Sequence, residues 1–144
     1  MPALKALRAS AWTLFLMGLA HLAGHLTSLK EISSPSDDKM RALVAAMNGY
    51  VVPDYVDGRS FMSMYQGFSL MMAAMPLLIA ALVLTSCSLL KDDPAGLRRV
   101  ARMHAGGMLV LSVIAANYFI LPPTIFLLVA FGLAAFALAR LRKA

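Results

Sequence analysis

Three features of this 144-residue sequence predict an all-α membrane protein: a four-helix transmembrane bundle with a short amphipathic helix in the first extracytoplasmic loop. Apolar residues make up 60% of the chain and charged residues 14%, whereas soluble domains carry about a quarter charged. The mean hydropathy is +0.76, and the apolar residues fall in runs long enough to cross ~30 Å of hydrocarbon. Lys and Arg gather on alternate sides of those runs, as they do at cytoplasmic flanks. The length accommodates a single four-helix transmembrane domain over 1–144 and no second one.

The first span is read at 10–29, where about 20 residues rise roughly 30 Å as a helix. Lys5 and Arg8 precede it in the manner of a signal peptide, but the apolar run is too long and lacks a small-x-small cleavage site. A retained anchor is expected. Next, "SPSDDKMRALVAAMNG" predicts a helix over about 35–48, with Ser34 as cap, Pro35 at the first helical position and acidic residues in the first turn. Met40, Leu43, Val44 and Met47 follow at i, i+3, i+4 and i+7, and Asn48-Gly49 supplies a stop. This amphipathic helix is expected to lie on the membrane or to cap the bundle.

A second span follows at 61–90, with Pro76 inside it as a kink that neighbouring helices must cover. "KDDPAGLRR" reads as a turn-forming loop, and the third span runs over 100–121. Pro122-Pro123 predicts a tight reversal into a fourth span at 123–139. Close helix approach is expected at Ser69 and Ala73, at Gly107, and at Gly132, Ala135 and Ala139.

Charge sets the expected orientation. Lys5, Arg8, Lys91, Arg98, Arg99, Arg102, Arg140, Arg142 and Lys143 fall on one side, whereas Lys30, Lys39, Arg41 and Arg59 in the first loop are outnumbered by its carboxylates. Both termini are therefore expected on the cytoplasmic side of the membrane, and the first loop outside. A nucleic-acid partner is disfavoured despite the net charge of +6, because no basic stripe interleaves with aromatics on a soluble face. The single cysteine, Cys87, excludes an intramolecular disulfide and a Cys-x-x-Cys redox pair, and reads as a small apolar filler. The Arg98, Arg99 and Arg102 cluster is accounted for by topology alone.

"GLAHLAGHL" places His21 and His25 on one helical face with Leu14, Gly18 and Ser28, opposite Trp12. Counting depth from Leu29, Phe61 and Leu121 puts His25 level with Gln66 and Asn117, and His21 one turn deeper with Ser69. Tyr65 and Tyr118 lie close to the same levels, under a loop that carries Asp54, Asp57 and Arg59. Such polar groups either converge on a ligand, metal or proton path, or hydrogen-bond across helices to fix packing. Shared haem ligation by His21 and His104 is disfavoured by their ~10 Å difference in depth. Zinc or iron is disfavoured because no span holds an acidic residue to complete a His-x-x-x-His pair. Met62, Met64, Met71, Met72 and Met75 spread around their helix as gap-fillers rather than as a copper line. Proton coupling through an intramembrane carboxylate has no candidate residue.

Gly18, His21 and Leu22 form Gly-x-x-His-Leu; Pro35, Asp37 and Met47 follow in the loop; Tyr65 and "GFS" from Gly67 to Ser69 open the second span. This pattern, over roughly 18–84, resembles a family of small, uncharacterised bacterial four-span membrane proteins, in which Trp commonly precedes the Gly-Phe pair where this chain has Met64-Tyr65. The resemblance implies a feature shared across the first two spans by Gly18, His21, Gly67, Phe68 and Ser69, and names no ligand or cofactor. With no catalytic signature present, the sequence predicts a polar pocket in the outer half of the membrane, built from His21, His25, Gln66, Ser69, Asn117 and Tyr65. It would bind a small amphipathic or lipid-like ligand, or dock a membrane partner. Membrane lipid and a homo-oligomer or larger membrane complex are the expected partners. Two alternatives stand: an accessory subunit of a larger membrane complex, and a histidine- or metal-dependent enzyme acting on an apolar substrate with His25 as base or ligand.

Overall fold

The computed structural model describes residues 1–51 and 58–142, and its elements are α1 (Pro2–Ser33), α2 (Asp38–Gly49), α3 (Phe61–Leu89), α4 (Pro94–Tyr118) and α5 (Leu121–Leu141). Helices α1, α3, α4 and α5 are long and apolar enough to cross a membrane, with mean hydropathies of 1.2, 2.3, 1.3 and 2.2. The chain is thus an all-α, multi-pass membrane protein with one additional amphipathic helix. At 1.5 Å per residue, the 21 residues of α5 match the ~30 Å hydrocarbon, whereas the 32 of α1 and 29 of α3 exceed it by more than 10 Å, on the order of two turns or more.

Both ends of α1 differ from the expected span. It starts at Pro2 because Ala3, Ala6, Leu7, Ser10, Ala11 and Leu14 form one buried face, while Lys5 and Arg8 stay exposed. It continues to Ser33, so Ser34 does not cap α2; its N–H instead closes the end of α1 on the Lys30 carbonyl at 3.1 Å. Asp37 caps α2, its carboxylate accepting the Met40 N–H at 2.8 Å, and Pro35 lies outside the helix.

Helix α4 also starts earlier than expected, at Pro94, where Asp93 accepts the Gly96 N–H at 2.9 Å. A Cβ at Gly96 would run into that carboxylate, so a larger residue there would make the Asp93 side chain shift. The reversal before α5 falls at Phe119 and Ile120, both extended, and not at the two prolines. Pro122 and Pro123 sit in the first turn of α5, where a missing N–H costs no helical hydrogen bond.

The described chain falls into two compact units, Leu19–Met75 and the combination of Met1–Gly18 with Pro76–Ala144. The second of these is closely packed. Leu7, Ala11, Cys87, Leu97, Ala101 and Ala137 are fully buried in one cluster. Leu14, Ala80, Met108, Ala115, Leu127 and Ala130 form another. On α5 the buried stripe is Thr124, Leu127, Ala130, Ala134, Ala137 and Leu141, at the i, i+3/i+4 spacing of one face. The expected close approach at Gly107 and Gly132 does not occur: both are exposed, and a Cβ at either would meet nothing within 4 Å. Alanines fill that role, because hydrocarbon offers no hydrophobic drive between helices and small side chains let backbones approach.

The Leu19–Met75 unit combines the C-terminal half of α1, all of α2 and the N-terminal half of α3. Its buried residues among those described are His25, Met62 and Ala73, and α2 contributes none. The loop after α2 is closed at its base by Phe61 N–H donating to the Tyr50 carbonyl at 2.9 Å, by a Val51–Ser60 bridge, and by edge-on packing of Tyr50 on Phe61. Asp54 and Asp57 lie outside the described residues.

Candidate functional site

The polar face of α1 is oriented as its spacing predicts. Leu14, Gly18 and His25 are buried, His21 and Ser28 are half-buried, and Trp12 is exposed on the other side. Facing residues of α3 then fix the register within the Leu19–Met75 unit. His25 Nδ1 and Ser69 Oγ are hydrogen-bonded at 2.9 Å, so His25 is level with Ser69 rather than with Gln66. The depth count slips by one turn because α1 continues helically past Leu29 to Ser33. His21, one turn deeper, has its Nε2 buried with no hydrogen-bond partner among the described residues. Gln66 is half-buried and Tyr65 exposed on α3.

One turn out from the His25–Ser69 pair, a cavity of about 190 Å³ opens beneath α2. Ser28, Glu31 and Ile32 of α1 line one side, and Met62 and Tyr65 of α3 another. The roof is the apolar stripe Met40, Leu43, Val44 and Met47 of α2. The stripe is legible in the sequence; its position over a cavity is not. No residue of α2 is fully buried, and Met40, Val44 and Met47 of this roof are half-buried.

Of the residues expected to bind a ligand, only Tyr65 lines the cavity. The lining is therefore mostly thioether and aliphatic, with Ser28, Glu31 and the Tyr65 phenol as its polar groups. Glu31 falls outside the expected site because a span ending at Leu29 leaves it in a loop, and periodicity gives the α2 methionines a face but not what that face covers. Asn117 belongs to the other unit: it is exposed near the end of α4, and its amide donates to the Val113 carbonyl of its own helix at 2.7 Å.

A second polar cluster, absent from the expected site, lies in the unit of Met1–Gly18 and Pro76–Ala144. The Ser10 hydroxyl donates to the Ala130 carbonyl at 2.6 Å and lies 2.9 Å from His104 Nε2. Because the serine proton is committed to the carbonyl, Ser10 must accept, and His104 carries its proton on Nε2. Ser10, on α1, thus bonds to both α4 and α5 from a position with no solvent exposure. This is the hydrogen-bonded packing role expected of polar groups between spans, and it commits the His104 nitrogen that faces α1. The polarity of Ser10 and His104 was visible in sequence, but nothing local links two residues 94 positions apart.

Among the described residues, no three His, Cys, Asp or Glu side chains are grouped to hold a metal ion. Met71, Met72 and Met75 are exposed while Met62 is buried, so the methionines of α3 face different directions. No family model, curated protein or solved structure matches the chain.

Proposed function

We propose that this membrane protein binds the apolar tail of a small amphipathic or lipid-like molecule in the cavity beneath α2. The carrying observation is the cavity itself: about 190 Å³, lined by Met40, Met47, Met62, Leu43 and Val44, under a helix with no buried residue. A closed cavity of ~150 Å³ accepts benzene, so this volume suits a ring or a short run of methylenes. Methionine linings adapt to ligands of differing shape, because the thioether chain is flexible and polarizable. The His21 Nε2, without a partner among the described residues, and the His25–Ser69 pair supply polar groups one or two turns deeper along the same helix pair. In this reading α2 is a flap on the extracytoplasmic side of a bacterial inner membrane, with both termini cytoplasmic, as the distribution of Lys and Arg favours.

Native mass spectrometry of protein extracted gently from its own membrane tests the reading. Val44→Trp places an indole in the cavity without disturbing a buried contact. The expected result is a defined adduct on the wild-type chain that is lost from Val44→Trp while helicity is retained. A wild-type chain without an adduct, or an adduct indifferent to Val44→Trp, would overturn it. Retention only alongside another polypeptide would favour the accessory-subunit reading instead.

A further inference from the structure

The cavity carries a charge pattern as well as a volume. Among the described residues, its one ionisable acid is Glu31, and no basic residue lines it. Glu31 and Tyr65 are both exposed, which places them at the rim, whereas the methionines form the wall and roof. The basic residues nearby in sequence are engaged or lie elsewhere. Arg41 is paired with Asp38 at 2.6 Å, and Lys30 and Lys39 are exposed outside the lining. Glu31 also sits in the last turn of α1, where unpaired carbonyls give the helix end a partial negative charge. The Tyr65 ring adds a face of the kind that attracts alkylammonium groups.

On the premise that the cavity holds an apolar tail, we infer that the ligand it selects is a cationic amphiphile, an ammonium head on a short alkyl or aryl chain. The tail lies among Met40, Met47 and Met62, and the head meets the Glu31 carboxylate beside Tyr65. An anionic head would meet the carboxylate and the carbonyl end of α1 together, and a neutral hydroxyl head could donate a hydrogen bond there but carries no charge to pair with either.

Methionine-methyl NMR in neutral maltoside micelles tests this, using three probes with one tail: n-octyltrimethylammonium, n-octanol and n-octyl sulfate. Met40, Met47 and Met62 report on the cavity, and Met103, 79% exposed on α4, reports on nonspecific partitioning. The cationic probe is expected to saturate the cavity methyls at about fivefold lower concentration than octanol, the advantage of a rim-exposed ion pair, and the sulfate at a higher concentration than either. Glu31→Gln should erase the cationic advantage, so that the ammonium probe and octanol saturate the variant's cavity methyls at similar concentrations. If all three probes saturate the cavity methyls alike and Glu31→Gln changes nothing, the head-group inference fails while the cavity reading stands. If no probe shifts those methyls more than Met103, or if Val44→Trp leaves their shifts intact, the cavity reading itself fails.

Discussion

Ser10 and His104 meet at 2.9 Å, and so do Ser69 and His25, yet the two pairs sit in contrasting surroundings. Around the first, the serine also donates to the Ala130 carbonyl, and the neighbouring Ala11, Ala101, Ala130 and Ala134 have no exposed surface. Around the second, Ser69 and His21 are only half-buried, the His21 Nε2 lacks a partner among the described residues, and a methionine-lined cavity opens one turn away. The same chemical contact thus closes a tightly packed unit in one place and lies one turn from a cavity in the other. Close packing resists change to its shape, whereas a cavity under a loosely held helix leaves a ligand something to fill. The packing of the first region accounts for stability, and the cavity of the second is where we propose that recognition occurs.

Breaking the first pair should have the largest effect. His104→Ala removes a buried side chain and one partner of Ser10, and should destabilise the protein by about 2–4 kcal/mol. Denaturant titration followed by circular dichroism would measure it; a loss below ~1 kcal/mol would mean that the cluster is not a clamp.

Ser10→Ala comes next. It leaves the His104 Nε2–H buried without its acceptor and should cost about 1–3 kcal/mol in the same assay. Combining the two substitutions should be clearly non-additive, as expected of residues in one hydrogen-bond network.

Ser69→Ala should cost less than about 1 kcal/mol, since the pair is partly exposed and hydrogen bonds between membrane helices average ~0.6 kcal/mol. A penalty as large as that of Ser10→Ala would erase the contrast between the two regions. Val44→Trp should have the smallest stability effect, within about 0.5 kcal/mol, because α2 buries nothing that the indole would displace. Its effect should fall on binding alone, and a large loss of stability would show that the roof is already part of the core.

Much of this architecture is legible in sequence because hydrocarbon imposes a simple rule: long apolar runs become helices. The α2 stripe and the buried face of His25 follow from the 3.6-residue period. Helix ends are less legible, because packing and capping decide them. The face of Ala3, Ala6 and Leu7 extends α1 towards Pro2, and its continuation to Ser33 displaces the cap of α2 from Ser34 to Asp37. That one-turn extension also shifts the register of His25 from Gln66 to Ser69 and brings Glu31 onto the cavity. The Ser10–His104 contact was illegible for a different reason: it depends on which helices pack together, and no periodicity encodes that. The choice of alanine over glycine at the close approaches was hidden likewise, since both residues are small and only the interhelical contacts separate them.

Hydrogen–deuterium exchange by mass spectrometry, with and without n-octanol in neutral maltoside micelles, tests the division of roles most directly. Peptides covering Met40–Met47 should become protected when octanol is added, while those covering 101–115 and 124–137 exchange as before. Unchanged exchange in α2, or protection confined to α4 and α5, would contradict it.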